Sequence, residues 1–329
     1  MNKFAFLTYP HTWMQLRWFL PFSSLNRRTF FKTVELQPIY SSTAQSIKGY
    51  LFVMPLLPHE IKSFILEDFK IMLLDVSKCA REMEINLLGL DGLIPTDLLN
   101  DTSFTTQLEV CVNNGTTLVA WSLFEAVYRL LRTRGRNLSD SKIAIYGAAK
   151  PAGNLCARKL AEYASKILLI DRDVETIESL RTTIQQTTAS VEVETASQET
   201  LIQPDADIIL LIGEHADACL DFNALKPDTI VCTTLLHAAG KGVRSNTMFV
   251  RAGLMKTPHE GMLYETRKYT GLPAGLLPAE MAETLLLSLE NRCSNYSIGT
   301  EINIDKMEEI ANLAVRHNFE VWVPEGPIR

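Results

Sequence analysis

Short apolar runs alternate with amphipathic stretches through the middle of the chain. Continuous apolar runs are typical of strands that are buried on both faces of a parallel sheet, and the stretches between them suit crossover helices. The runs are Ile143–Tyr146, Ile167–Ile170, Val191–Val193, Ile208–Ile212 and Thr229–Cys232. Four or five strands in this order predict an α/β fold built on a Rossmann-type doubly wound parallel sheet.

A glycine-containing loop follows the first apolar run and leads into a helical pattern. Gly147, followed by Ala148, permits a tight turn, and Gly153 permits close packing of the helix on the strand. The helix start presents N–H groups and a positive dipole end, which suit a pyrophosphate. Lys150 replaces the usual middle glycine, and Pro151 lacks an N–H. Either Lys150 contacts phosphate in a working dinucleotide site, or the fold is retained with an empty or altered site.

The ends of later strands supply further candidate residues. Asp171 ends the second run, where an acidic residue accepts hydrogen bonds from an adenosine ribose, and Arg172 is suited to a 2′-phosphate. The cofactor is therefore predicted to be NADP or NAD. Ligands of such sheets lie beyond the carboxyl ends of the strands, which singles out Gly213 to His215 and Thr233 to His237. The two histidines are either polar loop residues or catalysts.

The flanking segments predict a second α/β domain. Tyr50–Met54 and Asn86–Leu90 have the composition of strands, with helical patterns between them. We expect residues 1–135 to form an N-terminal α/β substrate domain and residues 136–265 a Rossmann dinucleotide-binding domain. Residues 266–329 form a C-terminal helical segment that returns to the substrate domain.

Polar residues at the start of a predicted helix, Leu118–Leu131, are candidates for substrate binding. Asn114, Thr116 and Thr117 either hold an anionic or carbonyl group or simply cap the helix. His259 lies in a loop that we expect to enter the same site.

Charge and cysteine usage exclude several classes of protein. The net charge is −6, which argues against nucleic acid as a partner. The six cysteines are widely spaced, which predicts no metal site. We expect most of them to be reduced, buried thiols in a cytoplasmic protein. No apolar run approaches the roughly 20 residues of a transmembrane segment. The aromatic segment Trp13 to Phe22 either packs on the substrate domain or touches a membrane or acyl chain.

Several separated segments resemble the cyanobacterial-type long-chain acyl-[acyl-carrier-protein] reductases and their bacterial relatives, the predicted amino acid dehydrogenases. These segments are 113–117 (NNGTT), 281–290 (MAETLLLSLE), 296–299 (YSIG), 305–310 (DKMEEI) and 316–319 (RHNF). The similarity runs from about residue 85 to 322. It implies a shikimate-dehydrogenase-like arrangement of a nicotinamide-binding Rossmann domain and a substrate domain that is completed by C-terminal helices. The family's thioester chemistry uses a cysteine nucleophile.

The chain departs from this family at the position of that cysteine, which is Glu280. Because a carboxylate is a poor acyl carrier, we expect no covalent thioester intermediate. Glu280 either acts as a general acid or base, or lies with Glu283 on a solvated helix face.

The sequence therefore predicts an NAD(P)-dependent oxidoreductase that acts on a small-molecule or acyl-derived carbonyl or imine. The alternative is a non-catalytic relative that binds a ligand or a protein partner. The basic cluster of Arg132, Arg134 and Arg136 suits an acidic carrier protein, but basic residues also occur at an ordinary helix C-terminus.

Overall fold

A computed structural model describes residues 2–10, 12–16, 31–40, 46–198, 205–213, 220–234, 247–260, 262–299 and 302–324. The chain divides into two compact units. Unit 1 comprises Met1–Leu118 and Met255–Glu320, and unit 2 comprises Val119–Leu254 and Val321–Arg329. These boundaries differ from the predicted ones at 135 and 265.

Strands and helices alternate through much of the chain. The strands are β1 (Asn2–Thr8), β2 (Lys32–Glu35), β3 (Ile39–Tyr40), β4 (Ser46–Val53), β5 (Leu87–Leu90), β6 (Cys111–Asn113), β7 (Lys142–Tyr146), β8 (Lys166–Asp171), β9 (Glu192–Ser197), β10 (Ile208–Leu211), β11 (Ile230–Thr233), β12 (Met248–Arg251), β13 (Leu254–Lys256), β14 (Leu276–Pro278) and β15 (Glu320–Val321). The helices are α1 (Trp13–Leu16), α2 (Pro58–Ile61), α3 (Leu66–Glu82), α4 (Thr96–Asn100), α5 (Thr102–Thr105), α6 (Thr116–Thr133), α7 (Pro151–Ala161), α8 (Val174–Thr187), α9 (Arg267–Thr270), α10 (Ala279–Leu289) and α11 (Ile304–Arg316).

The sheet of unit 1 has the order β2-β4-β1-β5-β6, with β3 also paired to β4. The pairs β4–β1, β1–β5 and β5–β6 are parallel, whereas β2 and β3 run antiparallel to β4. The centre of β1 is fully buried, as its apolar sequence predicts. Because four neighbouring strands are parallel, their carboxyl ends lie at one edge of this sheet, and polar residues that follow them are brought together there.

The sheet of unit 2 has the order β12-β11-β10-β7-β8-β9, and every pair is parallel. The chain runs outward from β7 to β9 and then returns to β10 on the other side of β7. This reversal defines a Rossmann-type doubly wound sheet and confirms the predicted fold class. The prediction missed β12, because this edge strand alternates buried and half-buried positions and so lacks a continuous apolar run.

The two C-terminal helices of unit 1 differ in how they are buried. In α11 the inward residues are Met307, Ile310, Leu313 and Ala314, as the amphipathic pattern predicts. In contrast, α10 is buried on every side from Ala279 to Leu289, apart from half-buried Glu280. Among the described residues, no helix is long and apolar enough to span a membrane. Of the aromatic segment, residues 17–22 lie outside the described ranges.

Candidate functional site

The glycine loop of unit 2 has the two close approaches that the sequence predicts. Gly147 has φ +82°, and a Cβ atom there would lie 2.0 Å from the carbonyl oxygen of Ile212. A Cβ atom on Gly153 would lie 2.1 Å from the carbonyl oxygen of Gly147. Ala148 is buried in the same turn. Only glycine fits at positions 147 and 153, so β7, the turn and α7 are packed as closely as a nucleotide-binding turn requires.

Lys150 and Pro151 shape the start of α7. Lys150 is the N-cap residue and its side chain is exposed, while Pro151 occupies the first helical position. The stem of Lys150 passes beside Gly213, since a Cβ atom on that glycine would lie 3.6 Å from Lys150 Cγ. Helix geometry leaves the amides of Ala152 and Gly153 without an acceptor inside the helix. A cation and two amides are therefore available here for an anion.

Asp171 stands at the end of β8, where the sequence predicts it, but its carboxylate is occupied. Its Oδ2 accepts a hydrogen bond from the Ala149 amide at 3.0 Å, and its Oδ1 accepts from the Arg172 amide at 2.7 Å and the Asp173 amide at 3.3 Å. The residue is 5% exposed, whereas Arg172 is exposed. Asp171 therefore links the end of β8 to the glycine loop through its hydrogen bond from the Ala149 amide.

The ends of β10 and β11 lie side by side. Gly213 follows β10 with φ +79°, and its amide is 3.5 Å from the Thr234 hydroxyl that follows β11. This is the edge that the strand-end rule predicts. Residues 214–215 and 235–237, which include both candidate histidines, lie outside the described ranges.

The backbone amides at the start of α6 donate to side chains, two from the residues just before the helix and two from distant segments of unit 1. The four acceptors are Asn113 Oδ1 for the Gly115 amide at 3.1 Å, Asn114 Oδ1 for Thr116 at 3.1 Å, Ser297 Oγ for Thr117 at 3.2 Å and Glu283 Oε2 for Leu118 at 2.6 Å. These are the amides that a bound anion would need. The structure therefore favours capping by Asn114, which also accepts from the Thr116 hydroxyl at 2.8 Å, over substrate binding.

Glu283 is completely buried, which rules out the alternative that it lies on a solvated face. The helical pattern misleads because α10 is enclosed on all sides. Oε2 accepts from the Thr117 hydroxyl at 2.7 Å, and Oε1 contacts the Ser297 hydroxyl. Burial raises the pKa of Glu283 to about 7, against the opposing effect of its hydrogen bonds to Ser297, Thr117 and Leu118.

Three oxygen–oxygen contacts join Glu283, Thr117 and Ser297 in a ring, closed by 2.7 Å between the two hydroxyls. Each contact needs one hydrogen, and the two hydroxyls supply only two. A protonated Glu283 supplies the third. The ring geometry and the raised pKa therefore agree on a neutral carboxyl group.

Glu280, the residue at the family's cysteine position, lies in the first turn of α10 and is half-buried. The loop after β6 packs directly on its backbone, because a Cβ atom on Gly115 would lie 2.2 Å from Glu280 Cα. Its Oε1 is 3.8 Å from where a Cβ atom on Gly92 would lie. The glycine at position 92 therefore leaves space beside the Glu280 carboxyl group.

Tyr9 and Asp91 are site candidates that sequence reasoning missed. They follow β1 and β5 at the carboxyl edge of the unit 1 sheet, and the Tyr9 hydroxyl donates to Asp91 Oδ1 at 2.5 Å. Burial raises the pKa of Asp91 to about 6, although hydrogen bonds from Tyr9 and from the Leu93 amide oppose the shift. The strand-end rule, applied to unit 1 as it was to unit 2, would have found both residues.

The remaining predicted residues are engaged locally. The side chain of His259 is exposed, and its main-chain carbonyl accepts hydrogen bonds from Thr257 Oγ1 at 2.8 Å and from the Met262 amide at 3.0 Å. Its role in a site stays a prediction. In the basic cluster, Arg136 pairs with Asp207, and the Arg132 guanidinium lies 5.5 Å from the ring centre of Tyr128. A carrier protein as partner likewise stays a prediction.

Comparison with protein sequences gives one short similarity and no family. No protein-family model matches the chain. A stretch of 42 residues is 48% identical to the aminotransferase PigE of Serratia sp. (strain ATCC 39006), which covers 13% of this chain and 5% of that protein. The chain thus matches a small part of that relative's length. The resemblance to acyl-[acyl-carrier-protein] reductases stays a prediction.

Similar solved structures include three dehydrogenases. L-tryptophan dehydrogenase from Nostoc punctiforme has a TM-score of 0.42 and 12% identity over 96% of this chain and 80% of its own. Quinate dehydrogenase from Corynebacterium glutamicum, in complex with NAD, has a TM-score of 0.40 and 13% identity over 87% of this chain and 98% of its own. Shikimate 5-dehydrogenase from Listeria monocytogenes has a TM-score of 0.37 and 13% identity over 94% of this chain and 96% of its own. At these scores the fold assignment rests on the strand order and directions described above.

Proposed function

We propose that this protein is an NAD(P)-dependent oxidoreductase that acts on a carbonyl or imine without a covalent cysteine intermediate. The observation that carries the proposal is the glycine turn between β7 and α7, where positions 147 and 153 admit no side chain. This turn lies at the centre of a doubly wound parallel sheet, at the point where the strand order reverses. Such switch points are where nucleotides bind in this class of sheet.

The dinucleotide pyrophosphate would be held by the Lys150 ammonium group and by the amides of Ala152 and Gly153. This arrangement differs from a loop that cradles phosphate with its backbone alone, because Pro151 lacks an N–H and the Ala149 amide already binds Asp171. A charged donor compensates for missing amides, since its hydrogen bonds to phosphate are stronger than neutral ones. A bound nicotinamide cofactor would supply or accept the hydride.

The cofactor is proposed to be NADPH rather than NADH. Asp171 is buried and binds three amides of its own chain, which leaves little of its carboxylate for ribose hydroxyls. Arg172 is exposed next to it. A guanidinium group at this position binds a 2′-phosphate, which only NADP(H) carries.

The substrate chemistry is assigned to carboxyl groups in unit 1. Glu280 stands at the start of α10 where the family's thiol would be, and Asp91 stands on the loop beside Gly92. Neither side chain is a practical acyl carrier, but each can exchange a proton with an oxygen or nitrogen atom of a substrate. Burial raises the pKa of Asp91 to about 6, and a general acid or base works best when its pKa is close to the pH of the reaction.

Fluorescence titration with NADPH and NADH tests the cofactor site. We expect saturable binding of NADPH. Lys150→Ala should weaken it by about 10- to 100-fold, the equivalent of one charged hydrogen bond. Arg172→Ala should weaken NADPH binding by a similar factor and leave NADH binding nearly unchanged. Lys142→Ala and Arg181→Ala, which remove surface ion pairs elsewhere in unit 2, serve as matched controls.

The second candidate function is that of a non-catalytic relative. The observation that favours it is that the glycine loop has few backbone amides left for a phosphate. Ala149 donates its amide to Asp171, and Pro151 has none to offer. No binding of either dinucleotide up to millimolar concentration would contradict the oxidoreductase proposal and favour this alternative. If NADPH binds and a substrate is turned over, Glu280→Gln should abolish turnover. Full activity of that variant would remove Glu280 from the reaction.

A further inference from the structure

Two thiols that the proposed function leaves unused lie on neighbouring segments of unit 1. Cys111 begins β6, and Cys293 lies in the segment after α10. The Cys111 thiol donates to the main-chain carbonyl of Cys293 at 3.0 Å. Most cysteines were expected to be buried, but Cys293 is exposed and Cys111 is half-buried.

Backbone pairing fixes these two segments side by side. Asn113 forms a parallel bridge with Tyr296, and the Tyr296 amide donates to the Val112 carbonyl at 3.1 Å. The Val112 amide in turn donates to Asn295 Oδ1 at 2.9 Å. Continued back to Cys111, this parallel register places Ser294 opposite Cys111 and Cys293 one residue before it.

The contact between the Cys111 thiol and the Cys293 carbonyl at 3.0 Å places the two residues together, although Cys293 itself lies outside any strand. An ideal strand pair with an offset of one residue has a Cα–Cα distance of about 6 Å. Disulfides commonly span about 5.5 to 6 Å between Cα atoms. Because neighbouring side chains along a strand point to opposite faces, a bond between the two sulfur atoms requires the backbone at Cys293, which lies outside any strand, to adjust locally.

We propose that Cys111 and Cys293 form a reversible intramolecular disulfide when the protein meets a peroxide. The Cys293 thiolate attacks one peroxide oxygen, the O–O bond breaks, and a sulfenic acid and a first water are produced. The Cys111 sulfur then attacks the Cys293 sulfur, the S–O bond breaks, and a second water leaves. Two thiols are oxidised and one peroxide is reduced, and a dithiol reverses the change.

Exposure determines which thiol reacts first. Cys293 is open to solvent, while burial raises the pKa of the Cys111 thiol and the nearby Cys293 adds to the shift. Cys111 therefore acts as the resolving thiol. Cys156 and Cys232 are fully buried, with the pKa of Cys232 raised to about 12 by burial, so they do not compete.

The disulfide would tie the segment that carries Tyr296 and Ser297 to β6. Ser297 is a member of the ring with Glu283 and accepts the Thr117 amide at 3.2 Å. The bond closes a loop between residues 182 positions apart, which restricts the unfolded chain. Oxidation should therefore raise the midpoint of thermal unfolding by about 5 °C or more.

The test treats the full chain with equimolar hydrogen peroxide, followed by digestion without reductant and mass spectrometry. We expect a cross-linked peptide pair that contains both cysteines, with about 2 Da lost on closure, that dithiothreitol separates. Cys111→Ser and Cys293→Ser should each abolish the pair and the thermal shift. Cys79→Ser, which removes another half-buried thiol, should leave both unchanged.

Two results would overturn the proposal. One is Cys293 oxidised to sulfinic acid while Cys111 stays reduced. The other is a dimer joined through Cys293 of two chains. Since the wild-type digest and the exposed Cys293→Ser variant decide the chemistry, a folding defect in Cys111→Ser does not affect the conclusion.

Discussion

Glu283 joins the middle of α10 to the first turn of α6 through a ring of short oxygen contacts. Its carboxyl group accepts from the Leu118 amide and meets the hydroxyls of Thr117 and Ser297. Three contacts and only two hydroxyl hydrogens require a proton on the carboxyl group. A buried acid that is neutral in the folded state makes stability depend on pH.

The sign of this dependence follows from the raised pKa. The pKa of Glu283 increases from its ordinary 4.5 to about 7 on folding, so its contribution is complete below pH 4.5 and is lost as the pH rises through 7. The free energy of unfolding should fall by up to about 3 kcal/mol over that range. Urea unfolding of the wild type at fixed pH values from 4.5 to 8.5 measures it.

Glu283→Gln is the matched variant, because a neutral amide keeps the shape and still accepts from Leu118. We expect its stability to depend less on pH, with the remaining decrease ending near pH 6, where Asp91 titrates in the same direction. Parallel curves for wild type and variant would show that Glu283 is ionised in the folded protein.

At the scale of elements, the close approach of the β6–α6 loop to α10 depends on one glycine. Gly115 has φ +72°, and a Cβ atom would lie 2.2 Å from Glu280 Cα. Gly135 has a similar φ of +66° with nothing within 4 Å. Gly135→Ala should lower the free energy of unfolding by about 1–2 kcal/mol through backbone strain alone. Gly115→Ala should lower it by about 1–3 kcal/mol more, because the backbone at Glu280 must also move.

Urea unfolding of both variants measures this difference. Equal losses of stability would show that the loop relaxes freely and that Gly115 does not position Glu280. A larger loss at position 115 would support tight packing between the loop and the start of α10.

Elements with a strong local pattern were predictable, and enclosed elements were not. Strands β7, β8, β10 and β11 of unit 2 contain apolar runs and were predicted, whereas the edge strand β12, which lacks such a run, was missed. Helix α10 is surrounded on all sides, which removes the contrast between faces that the pattern relies on. A solvated face for Glu283 was therefore one of the two alternatives that the pattern left open, and its ring with Thr117 and Ser297 could not be predicted.

At the scale of the whole molecule, the two units should respond differently to the cofactor. Hydrogen–deuterium exchange with saturating NADPH should slow in peptides that cover 147–153 and 171–172 of unit 2, because bound phosphates order the loop. Peptides that cover 46–53, in the unit 1 sheet, should exchange at the same rate and serve as the control. Binding of NADPH without protection of 147–153 would contradict a site at the glycine turn.

Local patterns in the sequence determined the α/β class, most strand positions and the glycine requirements at 147 and 153, since these depend on neighbours along the chain. Only the tertiary structure decided what the polar side chains do. Asp171 binds the Ala149 amide, Tyr9 donates to Asp91, and Glu283 caps a helix more than 160 residues away in the chain. Burial and hydrogen-bond partners come from distant segments, and a residue type alone carries no record of them.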